Sequence, residues 1–202
     1  MRIIVEGLIG SGKTTLTKAL AKALNIPPQF ESVDDNPFLE LYYQNPHRWA
    51  FTIQQYFLYD RFSKHSNQAY ILDRSLYGDL PFAIIQRENE YMSQDEYDTY
   101  LNHYHILKDR IAPPHFCLHV ITSPEVSLQR VKDRNRDCET NLPLDYLIQL
   151  NQHLQNLQKS LHHTTAYIPI EWNQDRSQEQ VDAFIEDNIL PALRNPPSKI
   201  NP

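Results

Sequence analysis

Ile3-Ile4-Val5-Glu6-Gly7-Leu8-Ile9-Gly10-Ser11-Gly12-Lys13-Thr14-Thr15 sets an apolar, β-branched run against a glycine-rich loop that ends in a lysine. Residues 2–5 read as a buried strand. Residues 7–14 follow the spacing Gly, four residues, Gly-Lys-Thr of a phosphate-binding P-loop. In such a loop successive backbone N–H groups form a concave anion nest, and the following helix adds its positive end. Lys13 is then placed to reach the outer phosphates of ATP, and the Thr14 hydroxyl to take a ligand position on Mg²⁺. A chance glycine turn needs no strand before it and no helix after it. Both are written here, since Leu16, Ala19, Leu20 and Ala23 mark one helix face, ended by Asn25 and Pro27-Pro28. Of the chain's four glycines, three (Gly7, Gly10 and Gly12) sit in this loop. Gly7 to Thr14, together with Thr15, are the expected ATP contacts.

Outward from the loop, a short strand near Gln29-Phe30 delivers Glu31. Helical pieces are expected at 37–44 and 48–66. Ala69-Tyr70-Ile71-Leu72 reads as a second core strand that ends at Asp73. The capping-box pattern Ser93-Gln94-Asp95-Glu96 starts a helix running to about Arg110. Phe116 to Ile121 is the next strand, Ser123-Pro124-Glu125 caps the helix after it, and Arg130 to Arg136 is a basic segment. Residues 144–161 show apolar Leu144, Leu147, Ile148, Leu154, Leu157 and Leu161 along a helix. Ala166 to Ile170 is a last strand and 177–193 a last helix, and the tail from Arg194 to Pro202 is expected to fray. Strands alternating with helices imply an α/β fold of three layers, a parallel central sheet flanked by helices. No repeat, linker or low-complexity tract interrupts the chain, so residues 1–202 are expected to form one domain.

The 202 residues suffice for a substantial core, and the apolar and charged fractions of 41% and 22% are those of a soluble globular chain. A net charge of −6 argues against a broadly basic surface for a nucleic acid polymer, so any anionic ligand must meet a local cluster of Lys and Arg. Cys117 and Cys138 form neither a CxxC pair nor a disulfide framework, which fits a reducing cytosol. Met1 runs straight into the first strand, so no signal peptide is expected, and no apolar run reaches the ~20 residues of a membrane helix. A cytoplasmic protein with no membrane partner is expected.

Three further features carry chemistry. Asp73 closes an apolar strand, where a Walker-B-type acid helps hold Mg²⁺. A strand-end Asp is also a common helix cap, but a P-loop and Arg74-Ser75 accompany this one. Glu31 falls at the carboxyl end of its strand, outside which ligands bind in open α/β sheets. A carboxylate there can take the proton from an attacking hydroxyl, although an ordinary surface Glu has the same local sequence. Arg130 and Arg134 share a helix face at i, i+4, with Arg136 just beyond. Three guanidiniums can offset the charge of a transferring phosphoryl group, or simply form a solvated basic face. His115 and His119 have i, i+4 spacing but lie in a strand, with Phe rather than Glu at 116. They read as structural, as does His162-His163 at a helix end.

These pieces in this order resemble the deoxyribonucleoside kinase family over nearly the whole chain. The matching blocks are Glu6-Gly7 through Thr14; Glu31-Ser32-Val33; Tyr43 through Arg48-Trp49; Phe51-Thr52-Ile53-Gln54-Gln55-Tyr56; Asp73-Arg74-Ser75-Leu76-Tyr77-Gly78-Asp79; and Arg130 through Glu139. Each block is weak alone, and six in register are specific. The resemblance implies a P-loop kinase fold with an Arg-rich lid at about 130–140. It implies transfer of the γ-phosphate of ATP, with Mg²⁺, to the 5′-hydroxyl of a deoxyribonucleoside. Residue by residue it implies Glu31 as general base and Arg74 as its partner near the transferred phosphate. Lys13, Arg130, Arg134 and Arg136 would stabilise phosphates. Tyr43 and Glu139 would bind the 3′-hydroxyl, and Gln54, Arg61 and Asp79 would read the base, with Trp49 and Phe82 walling its pocket. A homodimer pairing the helices at 48–66 and 93–110 is also implied.

Two positions depart from the family pattern: Ser32 stands where Pro is usual, and Asp73 where many members carry Glu. The expected substrate is deoxyadenosine, then deoxyguanosine or deoxycytidine, with Asp79 accepting from an exocyclic amino group and Arg61 donating to a ring nitrogen or carbonyl. The alternative is a thymidylate-type nucleoside monophosphate kinase, which shares the P-loop, the Asp-Arg pair and an Arg-rich lid. A phosphate acceptor needs no base, however, so Glu31 favours a nucleoside. A GTPase switch would need Asn-Lys-x-Asp and Asp-x-x-Gly. The first is absent, and Ser75 occupies the place of the Asp in the second.

Overall fold

Ile3, Ile4 and Val5 are wholly inaccessible to solvent, because β1 (Arg2–Gly7) is the middle strand of a five-stranded sheet. The order is β2-β3-β1-β4-β5, with β2 at Pro28–Gln29, β3 at Tyr70–Asp73, β4 at Phe116–Ile121 and β5 at Ala166–Glu171. Every pairing is parallel, with Ile4 opposite Leu72 on one side and Cys117 on the other. A strand covered on both faces has to be apolar throughout, which accounts for an unbroken Ile-Ile-Val run where an alternating pattern would leave one face polar. This computed structural model describes residues 1–33, 35–135 and 142–196. Arg136, Cys138, Glu139 and the tail from 197 onward therefore lie outside the described residues, as does the distal part of the expected lid.

Ile3 and Val5 pack against Leu16 and Leu20 of α1 (Lys13–Leu24) and against Val181 and Ile185 of the carboxyl-terminal helical run. That run comprises α9 (Gln178–Phe184), a π turn at Ile185–Ile189 and α10 (Leu190–Arg194). On the other face Ile4 meets Leu72, Tyr77 and Cys117. Beyond them α3 (Pro46–Ser63), α4 (Leu80–Glu88) and α5 (Gln94–Lys108) share a core of Leu58, Ala83, Tyr100 and Tyr104. The short α2 (Leu39–Gln44) lies against α3. Of α6 (Pro124–Arg134), α7 (Leu144–Leu154) and α8 (Leu157–Ser160), α6 and α7 pack Val131, Leu147 and Leu150 beside Leu8 of the loop. After β1 the chain passes to β2 and β3 on one side, and after β4 to β5 on the other. The crevice at the carboxyl ends of these two neighbours is where an open α/β sheet binds its ligand.

The strands and the capping box at Ser93 and Glu96 are as the sequence predicts. Four helices differ, the one expected over 177–193 by the π turn that interrupts it at Ile185–Ile189. α3 starts at Pro46 rather than 48, because the Asn45 side chain accepts from the Arg48 N–H at 3.2 Å and proline is welcome in a first turn. The helix expected over 144–161 divides into α7 and α8. α4 was not legible at all: Pro81 suggests a break, yet it occupies the first turn of the helix, where its missing N–H costs nothing.

Candidate active site

Gly12 adopts φ +98°, and a Cβ there would lie 2.6 Å from the Trp172 indole nitrogen. The loop thus turns where only glycine fits, and brings Lys13 back across its own carbonyls. Lys13 Nζ donates to Leu8 O at 2.6 Å and to Gly7 O at 3.3 Å. Burial, with Arg74 adding repulsion, lowers its pKa to about 7 against the pull of Asp73 and Glu31. Thr14, the next residue, donates its hydroxyl to Asp73 Oδ2 at the end of β3. Two oxygen donors are thereby held side by side. That suits Mg²⁺, which in nucleotide sites takes one or two protein oxygens, phosphate and water. Among the described residues no group of three or more His, Cys, Asp or Glu is arranged as an all-protein metal cage.

Glu31 follows β2 and is gripped from two sides. Arg61 of α3 pairs with its Oε1, and Arg74 Nε lies 3.6 Å from its Oε2. Burial pushes the Glu31 carboxyl up, but these two guanidiniums together outweigh it and hold the pKa down at about 2. Each arginine also reaches a buried acid behind it, Arg61 to Asp79 and Arg74 to Glu6. Burial raises the Glu6 carboxyl, opposed by Arg74 and by the Ser75 N–H and hydroxyl that donate to Oε1 at 2.8 and 2.6 Å. Arg74 holds a left-handed φ of +70°, uncommon for a side chain of its size, and its Nη2 donates to Gly7 O at 3.1 Å. The Phe82 ring lies under both guanidiniums, 4.6 Å from Arg74 and 5.5 Å from Arg61. Glu31 is thus tied to the P-loop through Arg74 and to α3 through Arg61.

Ser32 adds a second tie. Its hydroxyl donates to Asp60 Oδ1 at 2.9 Å, and Lys64 Nζ reaches Ser32 at 2.9 Å and Asp60 Oδ2 at 2.5 Å. Where the family pattern restricts this backbone with proline, hydrogen bonds to α3 anchor it here.

One cavity of about 380 Å³ joins these groups. Its walls include Ile9, Gly10, Lys13, Thr14 and Asp73, with Arg134 beside them, and then Glu31, Arg74, Tyr43, Gln54, Arg61 and Phe82. Three expected contacts stand elsewhere. Asp79 has no exposure and lies behind the cavity wall, its carboxylate taken by Arg61, Gln54 Nε2 and Tyr100 Oη. Trp49 stacks on Phe38 with centroids 5.8 Å apart and is not among the cavity walls. Arg130 turns toward Asp175, at 2.8 Å, and toward the Trp172 and Ser11 carbonyls, so it braces the loop from outside.

The sequence reading missed Tyr42, Gln86 and Tyr146, which also line the cavity. Tyr42 and Gln86 hydrogen-bond to each other at 2.8 Å. Gln86 belongs to the unread α4, and Tyr146 fell within a helix read only for its leucines. His115 Nδ1 accepts from the Arg2 N–H at 2.9 Å, and His119 Nδ1 meets Tyr167 Oη at 2.6 Å.

A protein-family model described as deoxynucleoside kinase matches residues 3–189. The deoxyadenosine kinase of Dictyostelium discoideum is 36% identical over 196 residues, 91% of this chain and 77% of that protein. The deoxyadenosine/deoxycytidine kinase of Bacillus subtilis (strain 168) is 32% identical over 162 residues, 76% of this chain and 75% of that one. Among solved structures, deoxyadenosine kinase from M. mycoides with bound dCTP has a TM-score of 0.83 at 24% identity, covering 95% of this chain and 100% of the other. That likeness extends to the fold.

Proposed function

The chain belongs to the deoxynucleoside kinase family and phosphorylates a deoxynucleoside with ATP as donor, and from that premise we propose deoxyadenosine as its preferred acceptor and Glu31 as the general base. One observation carries the assignment of Glu31: the same cavity holds Lys13 and Thr14 of the P-loop and Gln54 of α3, and Glu31 is bound through Arg74 and Arg61 to both ends. Glu31 accepts the 5′-hydroxyl proton as the oxygen attacks. With its pKa near 2 it is always ionised at neutral pH, so the proton transfers late, once the oxygen has bonded to phosphorus and become acidic. Arg74 and Lys13 offset charge on the transferred group, joined by Arg134 on the cavity wall. Thr14 and Asp73 hold Mg²⁺, which neutralises phosphate charge when bound. Tyr43 binds the 3′-hydroxyl and Gln54 reads the base edge. The family resemblance assigns Arg136 to the lid and Glu139 to the 3′-hydroxyl.

An ATP-coupled assay with deoxynucleosides, ribonucleosides and dTMP tests this reading. Deoxyadenosine gives the highest kcat/KM, followed by deoxycytidine or deoxyguanosine, and ribonucleosides fall below their deoxy counterparts. Turnover of dTMP with no nucleoside active would overturn the acceptor assignment and the role of Glu31 together.

We also propose a homodimer built on α3 and α5. These helices pack on each other, and they carry Tyr59 and Ile106, 69% and 51% exposed. Light scattering over a concentration series gives twice the chain mass, and a chain mass at every concentration excludes the dimer. Among the described residues no helix is long and apolar enough to cross a membrane, and a cytoplasmic location is proposed.

A further inference from the structure

Tyr100, on α5, touches no part of the cavity, yet its buried hydroxyl donates to Asp79 Oδ2 at 2.5 Å. Gln54 Nε2 donates to the same oxygen at 3.0 Å and to the Asp79 carbonyl at 3.4 Å. The other carboxylate oxygen faces Arg61. Neither partner tyrosine nor arginine is exposed beyond 3%.

We propose that Tyr100 is a positioning residue for base specificity: by fixing the Asp79 carboxylate it locks the Gln54 amide in one orientation and so sets which base edge the enzyme accepts. An ionised carboxylate only accepts hydrogen bonds, so the amide beside it has to turn its NH₂ inward. Flipping Gln54 would press Oε1 against a carboxylate oxygen in a buried site, where like partial charges repel strongly. In the locked orientation Oε1 is offered to an amino group. Nε2 keeps its shorter contact to Oδ2 and can give its other N–H, now on the longer contact, to a ring nitrogen. That order of acceptor and donor fits the amino-plus-ring-nitrogen edge of adenine and cytosine. It opposes the carbonyl-plus-N–H edge of thymine, which needs the flipped amide. The lock fails if the carboxylate can rotate. Arg61 fixes one oxygen, and Tyr100 fixes the other.

This inference rests on Gln54 being the base reader. Its test uses deoxycytidine and thymidine, equal in ring size and opposite in edge. In Tyr100→Phe the ratio of kcat/KM for deoxycytidine over thymidine narrows about tenfold, the scale of one buried hydrogen bond, while KM for ATP stays unchanged. The ratio is taken on one preparation, so a reduced folded fraction does not alter it. Tyr104→Phe is the matched control. Tyr104 stacks on Tyr100 with centroids 6.2 Å apart, and among the described residues its buried hydroxyl has no hydrogen-bond partner. It keeps the wild-type ratio. Asp79→Asn narrows the ratio by itself, and adding Tyr100→Phe to it changes nothing more, because the tyrosine acts through that carboxylate. A wild-type ratio in Tyr100→Phe, an equal narrowing in Tyr104→Phe, or full additivity with Asp79→Asn overturns the inference. Gln54→Ala separates the two levels. It also collapses the ratio if Gln54 reads the base, and an unchanged ratio there overturns the base-reading assignment itself.

Discussion

Glu31→Gln lowers kcat by about 10²–10⁴-fold, the usual contribution of a positioned base, with little change in KM for the nucleoside. The amide has the shape of the carboxylate but no capacity to take a proton. Arg61 and Arg74 keep their second acids, Asp79 and Glu6, so neither guanidinium is stranded by the change. A fall in kcat alone is therefore the signature of a lost base, since removal of uniform binding would raise KM instead. Single-turnover kinetics with deoxyadenosine check this, and near-wild-type rates would remove Glu31 from the chemistry. Stability supplies an independent readout. The Glu31 pKa falls on folding from 4.5 to about 2, so its ionised form stabilises the folded state. That contribution is fully present above the unfolded value and is lost as pH falls through the folded one. Glu31→Gln accordingly melts below wild type at neutral pH, and the two converge as the solution is acidified toward pH 2.

Much of this site could be read from the chain, and the failures share a physical cause. Lys13, Thr14 and Asp73 were legible because phosphate binding demands a fixed local spacing, and a buried parallel strand announces itself as an apolar run. Glu31 was placed by its position at the end of a strand. The resemblance to known kinases was still needed to give it a role, because nothing local separates a base from a surface glutamate. Asp79 stands one layer behind the cavity wall. The resemblance groups it with Gln54 and Arg61, but which of the three faces the cavity depends on how α4 enters, and α4 went unread behind Pro81. Tyr100 lay further out of reach. It stands in an amphipathic helix among other tyrosines, and only tertiary packing of α5 against α3 and α4 shows that one hydroxyl of that row ends on a carboxylate.

Lys13→Met separates activity from stability in opposite directions. Loss of the ammonium removes a fixed positive charge from the transferring phosphoryl group, and kcat/KM falls by about 10²–10³-fold or more, the scale of one preorganised electrostatic contact. The folded protein nonetheless gains stability. Lys13 ionises near 10.5 when unfolded and near 7 when folded, so the folded state resists its charge. Between those values the unfolded chain binds more protons, and stability rises with pH. Below about 7 both states carry the charge and the full burial cost is present. Methionine removes that cost, so the variant has the higher Tm at neutral pH, and its advantage shrinks as the pH rises toward 10.5. The same logic ties ATP to a proton. Phosphates favour charged Lys13, so at about pH 8, where the empty loop holds it mostly neutral and ATP is fully ionised, ATP binding takes up nearly one proton. Calorimetry in buffers of different ionisation enthalpy measures this uptake in wild type and finds it missing in Lys13→Met. A buffer-independent enthalpy in wild type, or a lower Tm in the variant, would show that the P-loop lysine is not held against its charge before the phosphates arrive.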